Sequence, residues 1–230
     1  MSTKRVVLIH GWGGSYASTW QEPGICDLLI EAGFEVTGID LLGHGKSLKP
    51  HEPSAYNDLS RQLLEELPTE PVIAVGFSLG ALTLLRAAID APERFIGLVL
   101  AGIGDGVFQP SRPEETEQIL AGIEGRAEPD DNLARLFAQY AHRPDNDPLA
   151  LAAILQRAPQ SQLTPAMLTH ISAPVLVAIG EKDFAAPAEK LCAAFSNSSL
   201  SILPRIDHFA TPNSFPFIDA LLSWLETRAT

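Results

Sequence analysis

The segment VIAVGFSLGALTLLRAAID, residues 72–90, joins a short apolar run to a helical pattern through the pentapeptide GFSLG at residues 76–80. This pentapeptide fits the G-x-S-x-G pattern, in which the serine lies on a sharp turn between a strand and a helix. Small residues on both sides of the serine let the backbone turn tightly without steric clashes. The segment therefore predicts that the Ser78 hydroxyl projects above a β-sheet, at the positive end of a helix.

Short apolar runs without alternation recur along the chain, each bounded by Gly, Pro or a charged turn, and helical patterns lie between them. Such apolar runs are typical of strands that are buried on both faces of a sheet. The predicted strands are 6–10, 34–40, 71–76, 95–101, 174–180 and 199–204, and the predicted helices are 20–32, 54–67, 79–90, 188–195 and 214–227. This alternation predicts a doubly wound α/β fold with a mainly parallel, six-stranded sheet, right-handed crossovers and helices on both faces.

Residues 105–171 interrupt this alternation, because they contain no convincing strand. Three helical patterns, 114–123, 132–141 and 147–157, are separated by turns rich in proline and aspartate. The segment is too long for a simple crossover. We expect a helical cap or lid inserted into a core formed by residues 1–104 and 172–230, over the edge of the sheet where ligands bind in open α/β folds. The alternative is additional scaffold that contacts no ligand.

A serine hydroxyl becomes an effective nucleophile when a base accepts its proton, and that base is commonly a histidine oriented by a carboxylate. Of the six histidines, His208 is the one that follows the last predicted strand and precedes the last helix. Asp183 follows the fifth predicted strand, so Ser78, Asp183 and His208 occur in the order expected for a nucleophile on a strand–turn–helix. Asp105 is the alternative acid, whereas Asp207 is disfavoured because adjacent side chains on an extended loop point apart.

The sequence HGWGG at residues 10–14 directly follows the first predicted strand. Acyl transfer requires two preorganised N–H donors for the oxyanion that develops on the substrate. We expect one donor at the backbone of Leu79, the residue after the serine, and the other at the backbone of Trp12. The glycines would let this backbone approach a substrate closely. The alternative is a tight turn without a binding role.

Several aromatic and aliphatic side chains are candidates for a substrate pocket. They either follow the predicted strands near Ser78 and His208 or lie in the helical insert. The candidates are Phe77, Phe108, Leu136, Phe137, Tyr140 and Phe209. Each of them could equally belong to the ordinary hydrophobic core. An aromatic, apolar lining would suit a small to medium ester of low charge.

Taken together, these motifs resemble the α/β-hydrolase fold superfamily, and within it the serine esterase-like branch. The resemblance also includes DLLGHGKS at residues 40–47, GEKD at 180–183 and DHF at 207–209. In the family the first of these turns is mainly structural, so the resemblance implies that Asp40 and Ser47 bond local backbone. Family members usually begin with an antiparallel strand pair, which this sequence lacks, so we expect six strands in the order 2-1-3-4-5-6.

The function that we expect is hydrolysis of a small to medium apolar carboxylic ester through an acyl-enzyme intermediate. The same three side chains could serve a thioesterase, a lactonase, a carbon–carbon bond hydrolase or a lyase. A third class is a small-molecule sensor that retains the triad, as the resemblance allows. A sensor would turn its ligand over once or very slowly, so the rate of turnover distinguishes a sensor from the enzymes.

The composition and net charge of the chain bear on its partners, its cofactors and its location in the cell. Sixteen basic and twenty-eight acidic residues in a chain of 230 give a net charge of −12, which disfavours nucleic acid and anionic membranes as partners. Two cysteines without a Cys/His cluster argue against structural zinc, and serine chemistry requires no cofactor. No apolar run reaches transmembrane length, so we expect a cytoplasmic protein. We expect it to act on a small-molecule substrate as a monomer or homodimer.

Overall fold

The computed structural model describes residues 5–110 and 112–229, and in this part of the chain six parallel strands form one sheet. Their spatial order is β2-β1-β3-β4-β5-β6, which confirms the predicted doubly wound sheet. Their bounds lie within two residues of the predicted ones. The strands are β1 (Arg5–Ile9), β2 (Glu35–Ile39), β3 (Val72–Phe77), β4 (Phe95–Ala101), β5 (Val175–Gly180) and β6 (Ser198–Leu203).

Helices cover both faces of the sheet, and two predicted helices differ from the observed ones. The described α-helices are α1 (Ile25–Glu31), α2 (Leu59–Glu66), α3 (Leu79–Asp90), α4 (Pro113–Ile123), α5 (Asn132–Ala141), α6 (Pro148–Leu155), α7 (Pro165–Leu168), α8 (Glu189–Ala193) and α9 (Phe215–Ala229). The predicted helix 20–32 is wrong as one element, because Gly24 has a φ of 83° and separates α1 from a π-helical turn at Ala17–Gln21. The predicted helix 54–67 begins instead as a 3₁₀ turn, and α2 starts where the Asp58 carboxylate accepts from the Arg61 N–H.

The apolar strands are buried because each of their faces packs against a separate layer of helices. All six residues of β3 are buried, and along β1 the side chains alternate between the two layers. Val7 and Ile9 face the layer that contains α2, α3 and α8, whereas Val6 and Leu8 face the layer of α1 and α9. The sheet is therefore rigidly held from both sides, and the loops at its carboxyl end have a fixed base.

Helices α4 to α7 lie in the segment between β4 and β5, and no strand occurs among its described residues, 105–110 and 112–171. Three of these helices share a third hydrophobic cluster with the core of the protein. In that cluster Ile123, Leu151 and Ile154 pack with Tyr56 and Leu59. The helical segment is thus docked on the loop and helix that follow β2. No helix among the described residues is long and apolar enough to span a membrane.

The close contact between α3 and the end of β1 generates a prediction about Gly80. A Cβ atom at Gly80 would lie 2.3 Å from the His10 carbonyl oxygen and 2.6 Å from that of Ile9. Both oxygens belong to backbone near the middle of the sheet, which cannot retreat easily. We expect Gly80→Ala to lower the free energy of unfolding by about 3 kcal/mol or more, measured by urea denaturation.

Gly106 provides a matched control, because a Cβ atom there would meet nothing within 4 Å. Gly106→Ala is expected to change the free energy of unfolding by less than about 0.5 kcal/mol. Equal effects of the two alanines would contradict the steric explanation.

Candidate active site

Ser78 occupies a strained turn between β3 and α3. Its φ and ψ are 52° and −115°, a conformation that L-residues other than glycine rarely adopt. A Cβ atom at Gly76 would lie 2.7 Å from the Ala81 Cα atom, so the strand can pass this close to the helix because residue 76 is glycine. The Ser78 N–H donates to the Ala101 carbonyl at 2.8 Å, which holds the turn against β4.

Ser78, His208 and Asp183 form a hydrogen-bonded chain. The Ser78 Oγ atom lies 2.9 Å from His208 Nε2, and His208 Nδ1 lies 2.9 Å and 3.0 Å from the two carboxylate oxygens of Asp183. His208 and Asp183 are buried. A carboxylate accepts hydrogen bonds, so it fixes the proton on Nδ1 and leaves Nε2 free to accept from the serine hydroxyl.

The other two acidic candidates face elsewhere. The Asp105 carboxylate accepts from the Leu191 N–H at 2.9 Å and so stabilises α8, whereas that of Asp207 accepts from the Ala210 N–H at 2.9 Å. The structure therefore brings Asp183, and not Asp105, to His208. Among the described residues, no group of three or more His, Cys, Asp or Glu side chains is arranged to hold a metal ion.

The loop after β1 passes directly beside Ser78. A Cβ atom at Gly11 would lie 2.8 Å from Cδ1 of the Phe77 ring and 3.2 Å from the Ser78 Cβ atom, so glycine allows this close approach. The loop closes in a turn, in which the Gly14 N–H donates to the Gly11 carbonyl at 3.1 Å. Within the described part of the chain, the backbone N–H groups of Trp12 and Leu79 have no hydrogen-bond acceptor. The two N–H groups therefore have no protein acceptor among the described residues, and their role as oxyanion donors stays a prediction.

Two side-chain hydrogen bonds connect this loop to the helical segment 105–171. The Trp12 indole N–H donates to the Leu151 carbonyl at 3.2 Å. The Asn146 amide donates to the Gly13 carbonyl and to the Tyr140 carbonyl, both at 2.8 Å. Sequence reasoning did not find Asn146, because one amide in a turn between helices carries no periodic or motif signal.

Six aromatic side chains form a network of ring contacts that includes His208, and we call them the aromatic cluster. Phe77, Phe184 and Phe209 contact the His208 ring, and the other three are connected to it through Phe209. Four of the predicted pocket residues belong to it: the Phe77 ring lies 5.0 Å from the His208 ring, and Phe137 and Tyr140 lie 5.8 Å and 5.0 Å from Phe209. The full cluster consists of Trp12, Phe77, Phe137, Tyr140, Phe184 and Phe209.

Phe184 is the member of the aromatic cluster that sequence reasoning missed. Its ring lies 4.2 Å from the His208 ring, although 60% of the side chain is exposed. Its position directly after Asp183 was the available signal. The assignment of Phe108 and Leu136 to a pocket stays a prediction: Phe108 packs against the hydrophobic layer that contains α3, and Leu136 is half-buried on α5.

Two buried histidines lie beneath the site and have structural hydrogen bonds. His10 donates from Nδ1 to the Gly11 carbonyl at 2.7 Å, and its Nε2 accepts from the Leu41 N–H at 3.1 Å. His44 donates from Nδ1 to the Leu42 carbonyl at 3.1 Å. Burial lowers the pKa of His10 and, to a greater extent, that of His44, where the neighbouring His10 lowers it further. Both rings are therefore neutral at pH 7.

The DLLGHGKS turn has local bonds of the kind that the resemblance implied. The Asp40 carboxylate accepts from the N–H groups of Tyr16 at 2.6 Å and Lys46 at 2.8 Å, and the Ser47 hydroxyl donates to the Asp40 carbonyl at 2.6 Å. These bonds fix the turn in which His44 is buried. They leave Asp40 without a contact to Ser78 or His208 among the described interactions.

Comparison with known proteins gives the family directly. The model of the alpha/beta hydrolase family matches residues 6–220, so the chain belongs to the alpha/beta hydrolase family. A pimeloyl-[acyl-carrier protein] methyl ester esterase from Methylococcus capsulatus is 30% identical over 205 residues, which cover 80% of this chain and 78% of that protein.

Other relatives are hydrolases named for 2-hydroxy-6-oxo acids. A 2-hydroxy-6-oxononadienedioate/2-hydroxy-6-oxononatrienedioate hydrolase from Pseudomonas putida is 29% identical over an alignment of 254 positions, covering 96% of this chain and 87% of that protein. The solved structure of a 2-hydroxy-6-oxo-6-phenylhexa-2,4-dienoate hydrolase from Rhodococcus superimposes with a TM-score of 0.69 at 24% identity, covering 98% of this chain and 90% of that one. At this identity the structural likeness establishes the fold alone.

The buried histidines predict how stability depends on pH. A histidine whose pKa is lowered by folding contributes stability above its unfolded pKa of about 6.5, and this contribution is lost as the pH falls, because the unfolded chain binds the proton more readily. We expect the free energy of unfolding to fall between pH 6.5 and 5, by up to about 1.4 kcal/mol per pH unit for each buried ring. Urea denaturation of wild type and His44→Gln at pH 7.5, 6 and 5 measures this dependence.

The free energy of unfolding of His44→Gln is expected to depend less steeply on pH than that of wild type, whatever the absolute stability of the variant. His170→Gln, which removes an exposed imidazole, is the control and is expected to keep the wild-type slope. An unchanged slope in His44→Gln would show that His44 does not contribute to the acid sensitivity.

Proposed function

We propose that the protein is a serine hydrolase that cleaves a small to medium apolar carboxylic ester through an acyl-enzyme intermediate. The observation that carries the proposal is the hydrogen-bonded chain from Ser78 through His208 to Asp183, with the serine on the strained turn before α3. The His208 Nε2 atom, 2.9 Å from the hydroxyl oxygen, is within reach to accept its proton. The family supports hydrolysis as the reaction class.

In the proposed mechanism Ser78 Oγ attacks the ester carbonyl carbon while its proton passes to His208 Nε2. Asp183 stabilises the imidazolium that forms, since its carboxylate faces Nδ1. The backbone N–H groups of Trp12 and Leu79 bind the oxyanion. His208 then returns the proton to the departing alcohol, and the acyl group remains on Ser78. Water repeats the same sequence of proton transfers, releases the acid and restores the serine.

The aromatic cluster supports the choice of an uncharged, apolar substrate. Three of its rings contact the His208 ring, the other three are connected to it through Phe209, and all of them offer dispersion contacts without charge. We propose that residues 105–171 act as a cap that completes this pocket, because Phe137 and Tyr140 reach the site from α5. The guanidinium of Arg143 lies over the Tyr140 ring, with its central carbon atom 3.8 Å from the ring centroid.

Hydrolysis of a carbon–carbon bond is the second candidate, because the Pseudomonas putida relative aligns with 96% of this chain. The name of that relative describes a dicarboxylate substrate. A dicarboxylate requires cationic or hydrogen-bonding partners when it leaves water. The aromatic cluster provides few such partners, so the side chains around His208 favour an ester. Thioesters and lactones share the carbonyl chemistry of esters and are included in the test.

The proposal is tested by steady-state and burst hydrolysis of p-nitrophenyl esters from acetate to decanoate. We expect multiple turnovers with an optimum at short to medium chain length. Ser78→Ala is expected to lower kcat by at least about 10⁴-fold, since it removes the nucleophile. A single burst without turnover would favour a sensor, and turnover confined to a 2-hydroxy-6-oxodienoate would favour carbon–carbon bond hydrolysis. Activity that survives in Ser78→Ala would exclude Ser78 as the nucleophile.

Two aspartates close to His208, namely Asp183 and Asp207, allow a matched control in the same assay. Asp183→Asn is expected to lower kcat by about 10⁴-fold, because the amide favours the wrong histidine tautomer. Asp207→Asn changes a carboxylate one residue from His208 that bonds the Ala210 N–H instead, and it is expected to keep wild-type activity. Equal losses in the two variants would contradict the assignment of Asp183.

Asn146 is expected to support catalysis without contacting the reacting atoms. Asn146→Ala removes the bond to the Gly13 carbonyl, so the loop that presents the Trp12 N–H becomes less well fixed. Complete loss of one oxyanion donor costs about 10²–10³ in kcat, and we expect a partial loss of about 10-fold with a smaller change in KM. Asn132→Ala, which removes an exposed amide at the start of α5, is the control. A change confined to KM would indicate that Asn146 affects binding alone.

A further inference from the structure

Phe184 is an exposed aromatic side chain that lies on the ring of a buried histidine. The centroids of the Phe184 and His208 rings are 4.2 Å apart, and the two ring planes differ by 32°. Phe184 is 60% exposed, whereas His208 is 5% exposed. Phe184 therefore covers part of the imidazole on the side that faces solvent.

The ring geometry shows which part of the imidazole Phe184 contacts. Two rings whose centroids are 4.2 Å apart cannot lie side by side in one plane, so Phe184 lies against a face of the imidazole. The hydrogen bonds of an imidazole lie in its plane, and both ring nitrogens of His208 are already engaged: Nδ1 faces the Asp183 carboxylate and Nε2 faces the Ser78 hydroxyl. Phe184 thus contacts His208 without competing for either hydrogen bond.

The face of an aromatic ring attracts positive charge, because its π electrons make that face negative. A cation within about 6 Å of the ring centroid gains from this attraction. In the proposed mechanism His208 becomes an imidazolium as Ser78 attacks, and its charge would then lie about 4 Å from the Phe184 centroid. The attraction is weaker for a neutral imidazole, so the contact would favour the transition state over the ground state, as catalysis requires.

One carboxylate is the formal charge among the described contacts of the His208 ring. That carboxylate belongs to Asp183, the Ser78 hydroxyl is the other polar partner, and the remaining ring contacts are aromatic. The Asp207 carboxylate accepts from backbone in its own loop instead. The Arg143 guanidinium lies on a different ring of the aromatic cluster. The imidazolium would therefore be stabilised by one carboxylate and by the faces of aromatic rings.

We propose that Phe184 is a positioning residue, which places the face of its ring against His208 and stabilises the imidazolium that forms during acyl transfer. The inference rests on the proposed function, because it requires that His208 accept the proton of Ser78. Phe77 also contacts the His208 ring, with the centroids 5.0 Å apart, but it is buried and precedes the strained turn. Phe184 is therefore the ring whose replacement tests the contact with the least disturbance of the fold.

The test compares Phe184→Leu with Phe184→Trp in the hydrolysis of p-nitrophenyl butyrate. Leucine keeps an apolar cover on His208 but has no π face, whereas tryptophan keeps the face. We expect Phe184→Leu to lower kcat about 2- to 5-fold with a change in KM of less than about 2-fold, and Phe184→Trp to keep at least about half of the wild-type kcat. A wild-type kcat in Phe184→Leu, or equal losses in the two variants, would overturn the proposal.

A second measurement uses an adduct that contains the imidazolium at equilibrium. Butylboronic acid adds to a serine Oγ and forms a tetrahedral, negatively charged boronate, no group leaves, and the hydroxyl proton passes to the histidine. We expect its inhibition constant to rise about 2- to 5-fold in Phe184→Leu and to stay within about 2-fold of wild type in Phe184→Trp. An unchanged inhibition constant in Phe184→Leu would also overturn the proposal.

Phe215→Leu is the matched control, because Phe215 is 88% exposed at the start of α9 and does not belong to the aromatic cluster. It is expected to keep the wild-type kcat and inhibition constant. A wild type that neither hydrolyses the ester nor binds the boronate would contradict the proposed function and this inference together. A wild type that does both, with Phe184→Leu equal to it, would contradict this inference alone.

Discussion

The backbone turn at Ser78 is the constraint on which the arrangement of the site depends. A residue with a φ of 52° and ψ of −115° is held there because its surroundings leave no room for another conformation. β3 is paired with β1 on one side and with β4 on the other, and Ser78 alone separates the end of β3 from the start of α3. Close backbone contacts at Gly76 and Gly80 transmit this fixed geometry from the sheet to the helix. The serine hydroxyl consequently has little freedom to move away from His208.

The remaining parts of the site follow from the parallel sheet. Because all strands run in the same direction, the loops after β1, β3, β5 and β6 meet at one edge. Gly102, after β4, shows how closely they meet, since a Cβ atom there would lie 2.7 Å from the Phe77 ring and 3.3 Å from His208 Cε1. Residues that are 130 positions apart in the sequence, such as Ser78 and His208, thereby come within hydrogen-bonding distance.

The elements that could be predicted from the sequence are those that depend on local patterns. Short apolar runs mark the strands, so their number and approximate bounds were predictable, whereas their order followed from the resemblance to the family. The helix 20–32 was overestimated because its spacing does not reveal the left-handed Gly24. The choice of Asp183 over Asp105 rested on chain order, and distance in the folded chain supports it. Asn146 was not predictable, because its bond to the Gly13 carbonyl arises from a tertiary contact between distant parts of the chain.

The attachment of the helical segment to the loop after β1 limits how the proposed cap can move. Lifting it away from the sheet would break the bond from Asn146 to Gly13 and the bond from Trp12 to Leu151. The first of these bonds holds the backbone that presents a proposed oxyanion donor, so opening of the proposed cap would loosen that backbone. Phe184 is not restrained in this way, because its ring is largely exposed over His208 and belongs to the loop after β5. Rotation of this one side chain requires much less rearrangement than movement of the whole segment, and it leaves Ser78, His208 and the loop after β1 in place.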